Sequence, residues 1–184
     1  MLAAADFFTV EVWTGSGLVR YLVFFILELA SRRVCIAGIH PTVQSQWMNQ
    51  AARNLTDPEI GFLRAKGYLI HDRDPLFTRE FLDVLAGVGV KSVKLPARSP
   101  NLNAYAERSV RSIRESCLDR MIFFGEAGLR HAIREFTEHY HRERNHQGLG
   151  NQLIFPTPNL RTSGGVKRLK RLGGLLNFYY RQAA

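Results

Sequence analysis

The sequence predicts an α/β fold, a mixed five-stranded sheet flanked by helices. Three observations predict it. The first forty residues hold three apolar, β-branched runs separated by short turns, which is the pattern of an antiparallel meander. From residue 42 the apolar period changes to that of a helix, and strand and helix then alternate as far as residue 95. Two long amphipathic helical segments follow, able to cover a sheet.

Residues 6–13 (DFFTVEVW) alternate weakly and read as the first strand, and Thr14-Gly15-Ser16-Gly17 reads as a turn. Leu18 to Leu29 reads as a buried second strand and Arg33 to His40 as a third. Over Thr42 to Asn54, Val43, Trp47, Gln50 or Ala51, and then Leu55 follow a helical repeat. Asp57-Pro58 opens a connection with a short helical turn, and Tyr68 to His71 is a short strand. Because a helix separates that strand from the meander, it is expected to run parallel to a meander strand. Thr78 caps a helix over Thr78 to Ala86, with Phe81, Leu82 and Leu85 as its inner stripe. Val88 to Leu95 is the fifth strand, and Ala97 to Asn103 is a loop rich in Pro, Ser and Asn. Ala104 to Met121 and Gly125 to Arg142 are the two long helices, the second with Leu129, Ile133, Phe136 and Tyr140 at helical spacing. Residues 145–184 show no clear period, and there is no internal repeat. The expected division is a core over residues 1–150 and a basic C-terminal extension over 151–184.

At 184 residues with 46% hydrophobic residues, the chain can bury one substantial core. Its longest apolar stretch, Leu22 to Leu27, is too short to span a bilayer, and MLAAADFF lacks the basic and long apolar regions of a secretory signal. Two cysteines, Cys35 and Cys117, suit a reduced cytoplasmic protein and build neither a disulfide framework nor a zinc site. The net charge of +9 is unevenly placed. Residues 1–92 carry nine Lys/Arg and nine Asp/Glu, whereas residues 93–184 carry sixteen and seven. A neutral first half followed by a cationic second half points to a polyanionic partner.

Three carboxylates stand out: Asp6 in the first strand, Asp72 closing GYLIHD, and Glu107 on the basic helix after Ser99-Pro100-Asn101. Two divalent cations can clamp the attacking and leaving oxygens of a phosphodiester, and Mg²⁺ takes oxygen ligands. Carboxylates gathered for that task repel one another, so burial without a cation raises their pKa values and the site is expected to be loose. Asn103, Glu107, Arg111 and Arg114 share one helical face, which would put phosphate-binding cations beside the carboxylate. The bland alternative is a solvated helix with pairs such as Arg111–Glu115.

With these residues in view, the chain resembles the retroviral-integrase-like catalytic core of insertion-sequence transposases. The matching motifs are ADFFTVEV around Asp6, HDRDPLF around Asp72, SPNLNAYAERSVRSIRESCLDR around Glu107, and HYHRERNHQGLG, similar to the closing helix and its R-x-H-x-x-L motif. The resemblance covers about residues 3–150 and implies an RNase H-like fold. It also implies an Asp-Asp-Glu triad of Asp6, Asp72 and Glu107 holding two Mg²⁺ or Mn²⁺ ions. Arg108 and Arg111 would be DNA contacts. The implied activity is cleavage of a phosphodiester at an element end, followed by in-line attack of the freed 3′-OH on target DNA. The implied partners are DNA and further copies of the chain, in the cytoplasm at a bacterial nucleoid. Arg114 and the VKRLKR run, with Lys167, Arg168, Lys170 and Arg171, are further candidate phosphate contacts.

The sequence departs from that family in three places. The family often has Asp-Asn-Gly-x-x-Phe at the second aspartate, where this chain has Asp72-Arg73-Asp74-Pro75-Leu76-Phe77. The spacing to Phe77 favours Asp72 and leaves Asp74 as a rival, with pairing to Arg73 or Arg79 as Asp74's alternative role. Ser109 stands where an aromatic is common. Only five residues precede Asp6, where full transposases carry a helix-turn-helix. This keeps open two alternatives, a non-catalytic DNA-binding or interaction remnant and a nuclease of RNase H type. His139, His141 and His146 read as a wet, basic helix end, Gly164-Gly165 and Gly173-Gly174 as hinges, and Trp13, Trp47 and Cys117 as core residues.

Overall fold

A computed structural model describes residues 1–96, 103–156 and 164–181. Its main sheet has five strands: β1 (Leu2–Thr14), β2 (Gly17–Glu28), β3 (Val34–His40), β4 (Tyr68–His71) and β5 (Lys91–Lys94). Their spatial order is β3-β2-β1-β4-β5. β1 to β3 form the expected antiparallel meander, turning at Thr14–Gly17, while β4 and β5 run parallel to β1. The helices are α1 (Ser45–Leu55), α2 (Arg79–Gly87), α3 (Ala104–Ser116) and α4 (Gly125–Arg142).

The sheet is covered on both sides, so β2 is buried without interruption from Val23 to Leu27. Alternate residues of β1 divide between the faces. Ala3 and Ala5 join Met48, Ala52, Phe81 and Leu85 of α1 and α2. Ala4, Phe8, Val10 and Val12 join Ile113, Leu129, Ile133 and Phe136 of α3 and α4. The alanines near the start of β1 are fully buried, and their small size lets helices approach the strand closely.

Local signals explain the helix ends. Thr78 accepts a hydrogen bond from the Phe81 amide at 3.3 Å, the cap expected of it. α3 stops at Ser116 because Cys117 leaves the helical region, and residues 118–120 form a tight 3₁₀ turn. β5 is shorter than the sequence suggests, because Val88 and Gly89 close the turn after α2.

Residues 166–181, which show no period in sequence, form a second, two-stranded antiparallel sheet of β6 (Val166–Arg171) and β7 (Leu176–Arg181). Its turn needs left-handed backbone at Leu172, Gly173 and Gly174. Leu176 anchors the hairpin in the core on the α3/α4 side. The Pro/Ser/Asn loop lies outside the described residues except for Asn103, as do residues 157–163.

Candidate active site

The parallel pairing of β1 and β4 sets the first half of the site. Its register runs Leu2↔Tyr68, Ala3↔Leu69, Ala4↔Ile70. The pairing ends there and β4 ends at His71, so each aspartate lies two residues past the last paired position of its own segment. Side chains alternate along β1, so Asp6 belongs to the face of Ala4 and Phe8, the one α3 covers, and the charge of Asp72 reaches it there. The register is locked at the start of both strands. The Gly67 amide donates to the Met1 carbonyl at 3.0 Å, and Lys91 to Gly67 at 2.9 Å. Beside them Lys66 pairs with buried Glu28, whose other oxygen accepts from the Ser31 hydroxyl at 2.6 Å. Burial pushes the Glu28 carboxyl up, and the bonds from Lys66 and Ser31 outweigh it and hold it below the usual range.

The segment after β4 is held by His71, which is buried. Its Nδ1 lies 2.7 Å from the Asp72 carbonyl and must donate to it; its Nε2 lies 2.7 Å from the Ser92 hydroxyl. Its ring packs on Phe77 at 4.3 Å. Asp72 accepts the Asp74 amide at 3.0 Å, and Asp74 accepts the Leu76 amide at 2.8 Å. The expected partners of Asp74 are engaged elsewhere: Arg73 donates to the Leu95 carbonyl at 3.1 Å and Arg79 lies 3.9 Å from Asp83.

Glu107 occupies the first turn of α3 and is exposed. With Asp6, Phe7, Val110, Arg111 and Arg114 it lines a cleft of about 420 Å³. Asp6 is the electrostatic centre of this region. Burial pushes its carboxyl up to about 6, against the pull of a 2.8 Å bond from the Phe7 amide; the charges of Asp72, Glu107 and Asp74 add to the rise. Asp6 therefore senses all three other carboxylates. Among the described residues, however, no three His, Cys, Asp or Glu side chains gather closely enough to form a ready-made metal cage. The donors fit a hard divalent cation in kind, being carboxylate oxygens. Burial first, and then the neighbouring carboxylates, raise the Asp6 carboxyl, and a bound cation would offset both effects.

Of the candidate phosphate contacts, Arg108 and Arg111 are exposed on α3, and Lys167, Arg168 and Lys170 on β6. Arg114 is tethered instead, donating to the Thr9 carbonyl at 2.9 Å and lying 3.6 Å from Asp119. Arg171 is taken up by Glu143 at 2.6 Å and Glu135 at 2.9 Å, so it moors the hairpin to α4.

Other expectations also need correcting. His141 is buried and accepts the Val34 amide at 3.0 Å; burial, then Arg33, His146 and Arg142, lower its pKa to about 4. His139 lies 3.0 Å from Glu143, and His146 Nε2 lies 2.8 Å from the Tyr140 carbonyl. These histidines knit the end of α4 to its surroundings and are not a wet surface. Trp13 is 51% exposed because the β1–β2 hairpin extends past the helices. Sequence reasoning also missed Glu115 and Asp119, which line the cleft with Asp6. Their signal is faint: only the 3₁₀ turn after α3 turns Asp119 back toward Arg114.

Residues 88–153 match the family model for the integrase core domain, a stretch that takes in Glu107 and begins after Asp72. No curated protein matches the chain. Among solved structures, the chain is similar to one in the simian T-cell lymphotropic virus intasome bound to the PP2A regulatory subunit B56 gamma. The TM-score is 0.55 at 13% identity, over 98% of this chain, which spans 66% of that one. It is similar to the HTLV-2 integrase catalytic core domain in complex with magnesium, in its trimeric form. There the TM-score is 0.58 at 12% identity, over 83% of this chain and 92% of the other. For the BIV integrase catalytic core domain the TM-score is 0.53 at 13% identity, over 83% and 90%. These comparisons bear out the resemblance to an integrase- or transposase-type catalytic core, and the five-stranded mixed sheet has the RNase H-like fold of such cores. Among the described residues no helix is long and apolar enough to cross a membrane.

Proposed function

We propose that this chain is a DNA phosphoryl transferase that cleaves element ends and joins them to target DNA, with Asp6, Asp72 and Glu107 as its acidic triad. The observation that supports the reading is the parallel pairing of β1 with β4, which ends two residues short of each aspartate and so favours their standing close together. Asp6, half-buried and pushed up to about 6, supports it from the electrostatic side. The three carboxylates would hold two Mg²⁺ or Mn²⁺ ions. When bound, such ions supply Lewis-acid activation of the attacking oxygen and charge neutralisation at the leaving one.

The chain's own residues do the rest. Asp6 is fixed by the Phe7 amide and by its strand, so its carboxylate needs little reorganisation. His71 steadies the backbone under Asp72 through the Asp72 carbonyl. Arg108 and Arg111 present cations to phosphates next to Glu107, and the basic hairpin adds sequence-independent affinity. The work of the protein is positioning and charge stabilisation. Synapsis of two DNA ends makes a homo-oligomer on DNA part of the same reading.

The test incubates the purified chain with labelled element-end DNA and Mg²⁺ or Mn²⁺. Strand cleavage and joining are expected. Asp6→Asn, Asp72→Asn and Glu107→Gln should each lower turnover at least about 100-fold while leaving DNA affinity largely intact. Normal cleavage by any of the three ends the triad assignment. Binding without turnover by the parent chain points to the non-catalytic alternative, and selective cutting of an RNA–DNA hybrid to the nuclease.

A further inference from the structure

The C-terminal hairpin has two chemically different faces. Arg171↔Leu176, Leu169↔Phe178 and Lys167↔Tyr180 are directly opposed pairs and share one face. Arg168↔Tyr179 and Lys170↔Asn177 share the other. The first face is moored: Leu176 is 4% exposed within the core, and Arg171 is held by Glu143 and Glu135. The second face is open. Arg168, Lys170 and Arg181 are exposed, and Tyr179 is 60% exposed among them. Residues 164–181 contain no Asp or Glu at all. Arg168 donates to Asn177 at 2.8 Å, and its guanidinium lies 5.9 Å from the Tyr179 ring centre, so the cation and the aromatic are set side by side.

Tyr179, Tyr180 and Arg181 also border a cleft of about 850 Å³ that Asn145, Asn151 and Gln152 line too. Its lining joins the three aromatic residues of β7, a guanidinium and three amide side chains. Aromatic rings stack on bases, cations track the phosphates, and amides bond to base edges. In a duplex the faces of each base are stacked and its pairing edge is used. An exposed ring serves as a stacking platform only for an unpaired nucleotide, whereas amides can read paired and unpaired bases alike. Duplex binding alone would need only the cations.

We infer that the outer face of the β6–β7 hairpin and the adjoining cleft bind a single-stranded nucleic-acid segment, with Tyr179 as the stacking platform and Arg168, Lys170 and Arg181 on the phosphates. The inference rests on the nucleic-acid partner of the proposed function and is independent of its chemistry. It gives the hairpin a task distinct from that of α3, the capture of an unpaired end.

The experiment measures fluorescence anisotropy of a labelled oligothymidylate and of a labelled duplex of equal length. Both are titrated with the full chain carrying Asp6→Asn to prevent cleavage. Tyr179→Ala should weaken single-strand binding about tenfold or more and leave duplex binding within about twofold. Tyr179→Phe should retain single-strand binding. The double change Arg168→Glu with Lys170→Glu should weaken both ligands and flatten the salt dependence. Equal losses for both ligands on Tyr179→Ala, or no loss, overturn the single-strand assignment alone. If the unaltered hairpin binds neither ligand, both this inference and the proposed DNA function fall.

Discussion

Asp6 and Glu107 belong to the same candidate site but are held in different ways. Asp6 lies within β1, opposite Phe25 of β2 and two residues past the last residue of β1 paired with β4. Glu107 stands on the exposed first turn of α3, one turn after a segment outside the described residues. The environments differ accordingly. Asp6 is half-buried and pushed up to about 6, whereas Glu107 is exposed to water. The sheet half of the site is built by pairing and stores electrostatic strain. The helix half contributes its charge from an exposed position.

The sharpest way to break this contrast is to attack the register. Lys66→Met leaves Glu28 buried without its cation. Removing one partner of a buried pair costs about 3–5 kcal/mol, and both side chains are only about a tenth exposed. Urea denaturation should show that loss. A change under 1 kcal/mol would mean that the pair does not secure the strands.

A smaller effect of opposite sign is expected at Asp6. Its folded pKa of about 6 exceeds the ordinary 3.8, so the folded state binds its proton more tightly. Ionisation therefore costs stability, beginning near pH 4 and reaching its full size above pH 6. The shift sets a ceiling of about 3 kcal/mol, and solvent screening lowers the expectation to about 1–2 kcal/mol. Asp6→Asn should raise stability by that amount at pH 8 and flatten the dependence between pH 4 and 6. Added Mg²⁺ should stabilise the parent more than the variant. Denaturation across pH reads both effects, and a destabilised Asp6→Asn would contradict them.

The smallest effect belongs to the helix half. Glu107→Gln should leave stability within about 0.5 kcal/mol of the parent, as for other exposed sites. A larger loss in the same denaturation assay would mean that Glu107 has a structural partner and the contrast with Asp6 is false.

Much of the frame was legible because its signals are local. The Thr14–Gly17 turn, the Thr78 cap and the bounds of α4 follow from residues next to the feature they determine. Asp6 and Asp72 were legible for the same reason, as each marks a position on an apolar run. The hairpin was not legible. Lys167-Arg168-Leu169-Lys170-Arg171 lacks an apolar alternation, and Gly173-Gly174 reads as a hinge when it is the reversal between strands. Those strands depend on pairing with Phe178, Tyr179 and Tyr180 and on the grip of Glu143 and Glu135 on Arg171. The roles of Arg114 and His141 also depend on distant partners, the carbonyl of Thr9 and the amide of Val34, which composition and period do not reveal.

The pairing of β2 with β3 shifts between Phe24 and Phe25, where Gly38 lies against the indole of Trp47 and leaves no room for a Cβ. β3 is an outer strand of the sheet, and β5, at the opposite margin, reads Lys-Ser-Val-Lys. A bulge kinks one border and lysines charge the other, so neither offers a flat ribbon to a neighbouring molecule. Copies of this protein are thereby discouraged from polymerising strand upon strand.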